Sequence, residues 1–207
     1  MVYEIMKPEE IEKKSMEIIT SELNGRTWPE PKFSIVKRCI HTSADFDYAD
    51  NLVFSEDAEN IGIELIRKGA TIVTDTKMAA SGINKNKIES YGGSVRCFIS
   101  DEDVVAEAKS RSCTRATVSM EKAAEIKGPL IIASGNAPTA LIALYDLVKA
   151  GKINPGLIIG VPVGFVNVVE SKEMIMKLDV PYIVAKGRKG GSNIAAAICN
   201  AMLYYKK

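Results

Sequence analysis

Apolar positions change their period once along this chain. Up to about residue 69 they recur at helical spacing, and from Ala70 onward they gather into short unbroken runs separated by amphipathic stretches. Pro8 stands at a first-turn position with Glu9 and Glu10 behind it at the positive end of a helix dipole. Ile11, Ile18 and Ile19 then mark an apolar stripe that also takes in Ser15. The spacing predicts two more helices over 33–41 and 55–68, the latter ended by Gly69, with a loop around Trp28 between Gly25 and Pro31. Strands are predicted at 70–75, 94–99, 129–134, 157–163 and 182–185, with helices at 101–109, 114–126, 138–150 and 192–205. The runs Leu-Ile-Ile-Ala and Leu-Ile-Ile-Gly do not alternate with polar residues, which suits strands buried on both faces. The expected fold is therefore α/β: a mainly parallel sheet of about five strands, covered by helices on both faces, behind an N-terminal helical part. Residues 1–207 are expected to form a single domain.

Composition narrows the function classes. The chain has 207 residues, 46% hydrophobic and 26% charged, with a net charge of +1, so nothing global suggests a nucleic-acid partner. The charge is uneven, with fourteen acidic and nine basic residues up to position 68 and five basic with no acidic residues over 180–207. A basic C-terminal part can still hold a polyanion locally. No run reaches the roughly 18–20 apolar residues of a membrane span. The opening residues do not read as a secretory signal, and Cys39, Cys97, Cys113 and Cys199 form no CxxC, so free and mostly buried thiols in a reducing cytoplasm are expected. His41 is the only histidine, too few for a transition-metal site of the usual His/Cys kind. GxGxxG and GxxxxGK[ST] are both absent, which weighs against a nucleotide-dependent α/β enzyme. No cofactor is expected.

Ligands of open parallel sheets bind beyond the carboxyl ends of the strands, so those loops carry the candidate chemistry. The first predicted strand ends in Thr74 and Asp75, with Met78 close behind; Asp75 or Thr76 would serve equally as a helix cap. The third leads into Ser134-Gly135-Asn136-Ala137-Pro138, a tight turn whose free N–H groups suit a carboxylate or simply open a well-capped helix. The fourth runs into an apolar loop containing Val163, Gly164 and Phe165. The last leads to Lys186-Gly187-Arg188-Lys189-Gly190-Gly191-Ser192, where cations sit among glycines before a helix, as in an anion-binding nest or a solvated turn. Arg115 opens a further helix, facing either solvent or an anion. Upstream, Ser34, Arg38 and His41 fall on one helical face at i, i+4 and i+7, placing a carboxylate-binding cation one turn before a group that titrates near neutrality.

Taken together, these segments resemble the precorrin-8X / cobalt-precorrin-8 methylmutase family of corrinoid biosynthesis. The matching pieces are Ser15, Arg38-Cys39-Ile40-His41, Thr74-Asp75 with Met78, Thr114-Arg115 and the string from Gly135 to Leu141. They continue through Gly160-Val161-Pro162-Val163-Gly164-Phe165-Val166, Glu170-Ser171-Lys172, Gly187-Arg188 and Gly190-Gly191-Ser192, in the family's order over nearly the whole chain. The resemblance implies an isomerase that moves a methyl group from carbon 11 to carbon 12 of (cobalt-)precorrin-8, giving cobyrinate or hydrogenobyrinate. It also implies a homodimer with the tetrapyrrole bound near the subunit interface, His41 as the catalytic residue, and Ser15 and Arg38 as substrate contacts. Thr74, Asp75, Met78, Arg115, Asn136, Val163, Gly164, Arg188, Gly190, Gly191 and Ser192 extend that expected binding set. The chemistry is coherent. A corrinoid acid is a flat, partly apolar disc with a carboxylate rim, and it needs aliphatic surface for its faces and donors for its edge. A sigmatropic methyl shift needs no nucleophile or redox cofactor and is eased by protonation of the conjugated ring, for which His41 must lie beside a pocket able to admit the disc. A corrinoid carrier that retains product without turnover would use the same loops.

Overall fold

The computed structural model describes residues 7–206 and has an α/β architecture. The chain opens with α1 (Pro8–Glu22), α2 (Lys32–Ser43), the short α3 (Tyr48–Asn51) and β1 (Leu52–Phe54). There follow α4 (Ala58–Arg67), β2 (Thr71–Thr74), α5 (Lys77–Gly82), α6 (Lys85–Glu89), β3 (Ser94–Arg96), α7 (Glu102–Ser110) and α8 (Arg115–Ala123). The last third is β4 (Leu130–Ser134), α9 (Pro138–Lys149), β5 (Leu157–Gly160), α10 (Val168–Ile175), β6 (Tyr182–Ala185) and α11 (Ser192–Tyr204).

The sheet has six strands in the order β1-β6-β5-β4-β2-β3, one more than the hydrophobic pattern suggests. All neighbours are parallel except β1, which pairs antiparallel with β6 in the register Leu52 to Ala185 and Phe54 to Ile183. Side chains alternate across the strands and feed two cores, as the two-residue period of a strand requires. Ile72, Ile131, Leu157, Ile159 and Ile183 point to the core beneath α2, α4 and α11. Val73, Ile132, Ile158 and Val184 point to the one beneath α8, α9 and α10. This is why the runs Leu-Ile-Ile-Ala of β4 and Leu-Ile-Ile-Gly of β5 are apolar without a break.

Four local expectations are corrected. On α1, Ile11 and Ile18 are 50% and 48% exposed, because the face laid against the core is Met16, Ile19 and Leu23, at i, i+3 and i+7. The helix predicted from residue 55 begins at Ala58, since Ser55 is drawn into the sheet edge: its N–H donates to the Tyr182 carbonyl at 3.0 Å and its Oγ accepts from the Tyr182 N–H at 2.9 Å. β5 stops at Gly160 rather than 163, ahead of Pro162, which has no N–H for a ladder, and the apolar stretch behind it coils into α10. Cys39 and Cys199 are fully buried, while Cys97 and Cys113 are part-exposed, so burial covers half of the thiols rather than most. Among the described residues no helix is long and apolar enough to cross a membrane.

Candidate active site

Four parallel strands, β6, β5, β4 and β2, end side by side. Because β1 runs against β6, its first residue Leu52 lies next to Ala185, the last of β6. The chain leaving α2 is thereby delivered to the same edge of the sheet, and His41, in the last turn of α2, comes with it. Ile35, Val36, Cys39 and Ile40 are buried beneath that helix, leaving Ser34, Arg38 and His41 on its other face as the spacing predicts. The His41 imidazole is exposed and has no hydrogen-bond partner among the described residues.

Beside it lies a cavity of about 700 Å³ between α1, α2 and α11, within the ~300–1,000 Å³ range of ligand pockets. Arg38 and Thr42, which flank His41 on α2, line one wall with Glu12 of α1. Asn193, Ala196, Ala197, Asn200 and Tyr204 of α11 and Gly82 of α5 complete the lining. Arg38 Nη2 is 2.8 Å from Glu12 Oε1 at this wall. Ser15, one helical turn beyond Glu12, is half-buried and its Oγ donates to the Ile11 carbonyl at 2.8 Å. Glu12, Asn193, Asn200 and Tyr204 escape a reading of the sequence because tertiary packing alone brings α1 and α11 opposite α2.

Thr74 and Asp75 are turned inward. Thr74 is fully buried and its Oγ1 donates to the Thr76 carbonyl at 2.9 Å. Asp75 is 1% exposed and its carboxylate accepts the N–H groups of Gly135, Asn136 and Ala137 at 2.8, 2.7 and 2.6 Å, together with the Ser134 hydroxyl at 3.2 Å. The turn at the head of α9 does bind a carboxylate, but that carboxylate belongs to the protein. Both side chains build the site's frame rather than face its opening, which corrects their expected place among the outward groups. Thr76 is the capping residue, accepting the Ala79 N–H at 3.0 Å and pairing with Ser192 Oγ at 2.8 Å.

The loops after β4, β5 and β6 meet through glycines. A Cβ on Gly135 would lie 2.7 Å from Ser192 Cα, and one on Gly190 only 2.1 Å from the Val161 carbonyl oxygen. The Gly191 N–H donates to that same oxygen at 2.8 Å, and the Gly164 N–H to the Arg188 carbonyl at 3.1 Å. Two lysines hold the glycine-basic loop further. Lys172 of α10 is 1% exposed, and its Nζ donates to the carbonyls of Gly187 and Lys189, both at 2.8 Å. Burial lowers its pKa to about 8. Lys189 reaches Asp45 and Asp47, both at 2.6 Å, in the segment that follows α2. These carboxylates raise its pKa, and Lys189 in turn holds Asp45 below the usual carboxylate range. The basic loop and the helix end that carries His41 are thus tied directly.

Around this edge the apolar residues are open to solvent: Met78, Val163, Phe165 and Val166 are 73, 47, 81 and 77% exposed. The Arg188 guanidinium sits 5.4 Å from the centre of the Phe165 ring. Asn136 is exposed, and so is Arg115 at the start of α8, where Thr114 Oγ1 bonds Thr139 of α9 at 2.9 Å. No group of three or more His, Cys, Asp or Glu able to hold a metal ion occurs among the described residues.

Comparison with known proteins decides the family. The model of precorrin-8X methylmutases matches residues 10–205. This chain belongs to the precorrin-8X methylmutase family. It is 47% identical over 197 residues to the cobalt-precorrin-8 methylmutase of Priestia megaterium, covering 95% of this chain and 88% of that protein. Identity to the enzyme of the same name from Salmonella typhimurium is 44%, with 97% of each covered, and to the precorrin-8X methylmutase of Pseudomonas aeruginosa 36%, with 98% of each. The crystal structure of the Thermus thermophilus precorrin-8X methylmutase superposes with a TM-score of 0.87 at 37% identity, over 94% of both chains. The chain is accordingly an isomerase of the cobalamin-biosynthetic type.

Proposed function

We propose that this methylmutase moves the methyl group of (cobalt-)precorrin-8 from carbon 11 to carbon 12, with His41 as the proton donor. The observation that carries the reading is the place of the single histidine: exposed in the last turn of α2, without a hydrogen-bond partner among the described residues, and next in sequence to Thr42, which lines the α2–α11 cavity. His41 gives a proton to the conjugated ring, the C11–CH₃ bond breaks as the C12–CH₃ bond forms, and the ring returns the proton. Nothing is gained or lost overall. An imidazole carries one nitrogen that can give a proton and take it back, so one side chain can serve both halves of this exchange. Arg38 and Arg188 offer guanidinium groups to the carboxylate rim, and Met78, Val163 and Phe165 offer apolar surface to the disc. Cobalt, where present, arrives inside the substrate.

The same exposed apolar residues suit a site completed by a second copy of the chain, and the working unit in this reading is a homodimer in the cytoplasm. The product is cobyrinate or hydrogenobyrinate according to whether the substrate carries metal. Anaerobic incubation with the cobalt and the metal-free intermediate, followed by absorption spectroscopy, tests the reaction: an isomerase converts the bands, whereas a carrier shifts them reversibly. Substituting His41→Ala should lower kcat by about 10²–10⁴-fold while product still binds. Full turnover by that variant ends the proposal.

A further inference from the structure

Lys172 does not line the α2–α11 cavity, yet it is the largest buried polar side chain among the described residues. No carboxylate accepts from it, and its two acceptors are the carbonyls of Gly187 and Lys189. In a trans peptide the C=O of one residue and the N–H of the next point in opposite directions. Drawing these two carbonyls inward onto the ammonium therefore turns the N–H groups of Arg188 and Gly190 away from the protein. Neither N–H has an acceptor among the described residues. The intervening Arg188 carbonyl is taken by the Gly164 N–H, so the loop is fixed from both sides, and the Arg188 side chain extends outward over Phe165.

We propose that Lys172 is a positioning residue for substrate: by holding the carbonyls of Gly187 and Lys189 inward, it presents the N–H groups of Arg188 and Gly190, with the Arg188 guanidinium, to a carboxylate on the tetrapyrrole rim. This rests on the proposed corrinoid substrate and assigns the machinery that reads one of its acidic arms. Lys172 touches no reacting atom and acts through the loop. The lowered pKa of its ammonium fits such a place, because a buried cation facing only neutral dipoles is poorly compensated. Deprotonation would still leave two N–H donors for the two carbonyls, so the arrangement does not depend on the charge alone.

The test is a double-mutant cycle on the full-length protein, with cobyrinate as the binding probe in absorption titrations and kcat and KM measured beside it. Lys172→Met keeps the volume of the side chain and removes its donors. It should weaken cobyrinate binding and raise KM about tenfold while kcat stays within threefold, as expected for a lost charge-assisted contact. Arg188→Ala should do the same, and the double variant should be no worse than the weaker-binding single one. Cobyrinate with its carboxylates esterified should bind wild type and Lys172→Met alike. If Lys172→Met does not fold, Lys172→Leu, which also lacks donors, takes its place in the cycle under the same criterion. Wild-type binding by the Lys172 variant, or additive losses in the double variant, overturns the proposal. Absence of cobyrinate binding by the wild type would instead strike at the substrate assignment.

Discussion

Gly135, just past the end of β4, donates its N–H to the Asp75 carboxylate just past the end of β2 at 2.8 Å, and so two neighbouring strand ends are locked together. Asn136, Ala137 and Ser134 add three more donors, so a buried carboxylate is stabilised by hydrogen bonds and by the dipole of α9 without a basic partner. Asp75→Asn would put an amide NH₂ against backbone N–H groups. The expected cost is about 2–3 kcal/mol, a fall in Tm of about 5–10 °C for a chain of this size, read by calorimetry. An unchanged Tm would show that the turn holds itself.

Glu12 occupies Arg38 at the cavity wall, but both side chains are partly exposed and their pairing is cheap to exchange. Glu12→Gln should leave the Arg38 charge to the substrate and tighten product binding about two- to fivefold at low salt. The gain should fade near 0.5 M salt, where screening shortens to a few ångströms. Weaker binding would mean that Glu12 orients the guanidinium instead of competing for it.

The contacts of Lys189 with Asp45 and Asp47 are also solvent-exposed, so Lys189→Met should change stability by no more than about 1 kcal/mol. Asp45 lies only four residues beyond His41, and loss of this tether should lower kcat several-fold. Steady-state rates beside a urea melt separate the two effects, and equal kcat would remove Lys189 from the account of His41.

The Lys172 pKa of about 8 against an ordinary 10.5 carries a signature in stability. Between these values the unfolded chain keeps the proton that the folded chain has released, so stability rises with pH across the window. Relative to Lys172→Met, wild type should gain roughly 2–3 kcal/mol from pH 7.5 to 10.5 in paired urea melts, at about 1.4 kcal/mol per pKa unit. A difference that does not move with pH would place the ammonium in contact with water.

The central strands β4 and β5 were legible because double burial leaves almost only apolar residues in their sequences, and the hidden elements fail for equally physical reasons. β1 is three residues long at the sheet edge, too short to show a period, and it owes its existence to pairing with β6. The greasy stretch after Gly160 reads as one loop, but its second half forms α10, whose buried face includes Val168 and Ile175. Within the site, residues adjacent in sequence were readable as loops, and the Arg38–His41 face as a helix. Asp75 read as a helix cap or a substrate contact because its four donors come from about sixty residues later in the chain, and the acceptors of Lys172 lie on a loop beyond the next strand. Partnerships across the sheet edge are a product of topology and have no local signal.

The lining of the α2–α11 cavity includes two methyl side chains, Ala196 and Ala197. Both are the smallest chiral residues available, and they stand on a helix separate from the one bearing the histidine. Exchanging single alkyl groups there would widen or narrow that space while leaving α2 and its imidazole where they are, so the two features can vary independently.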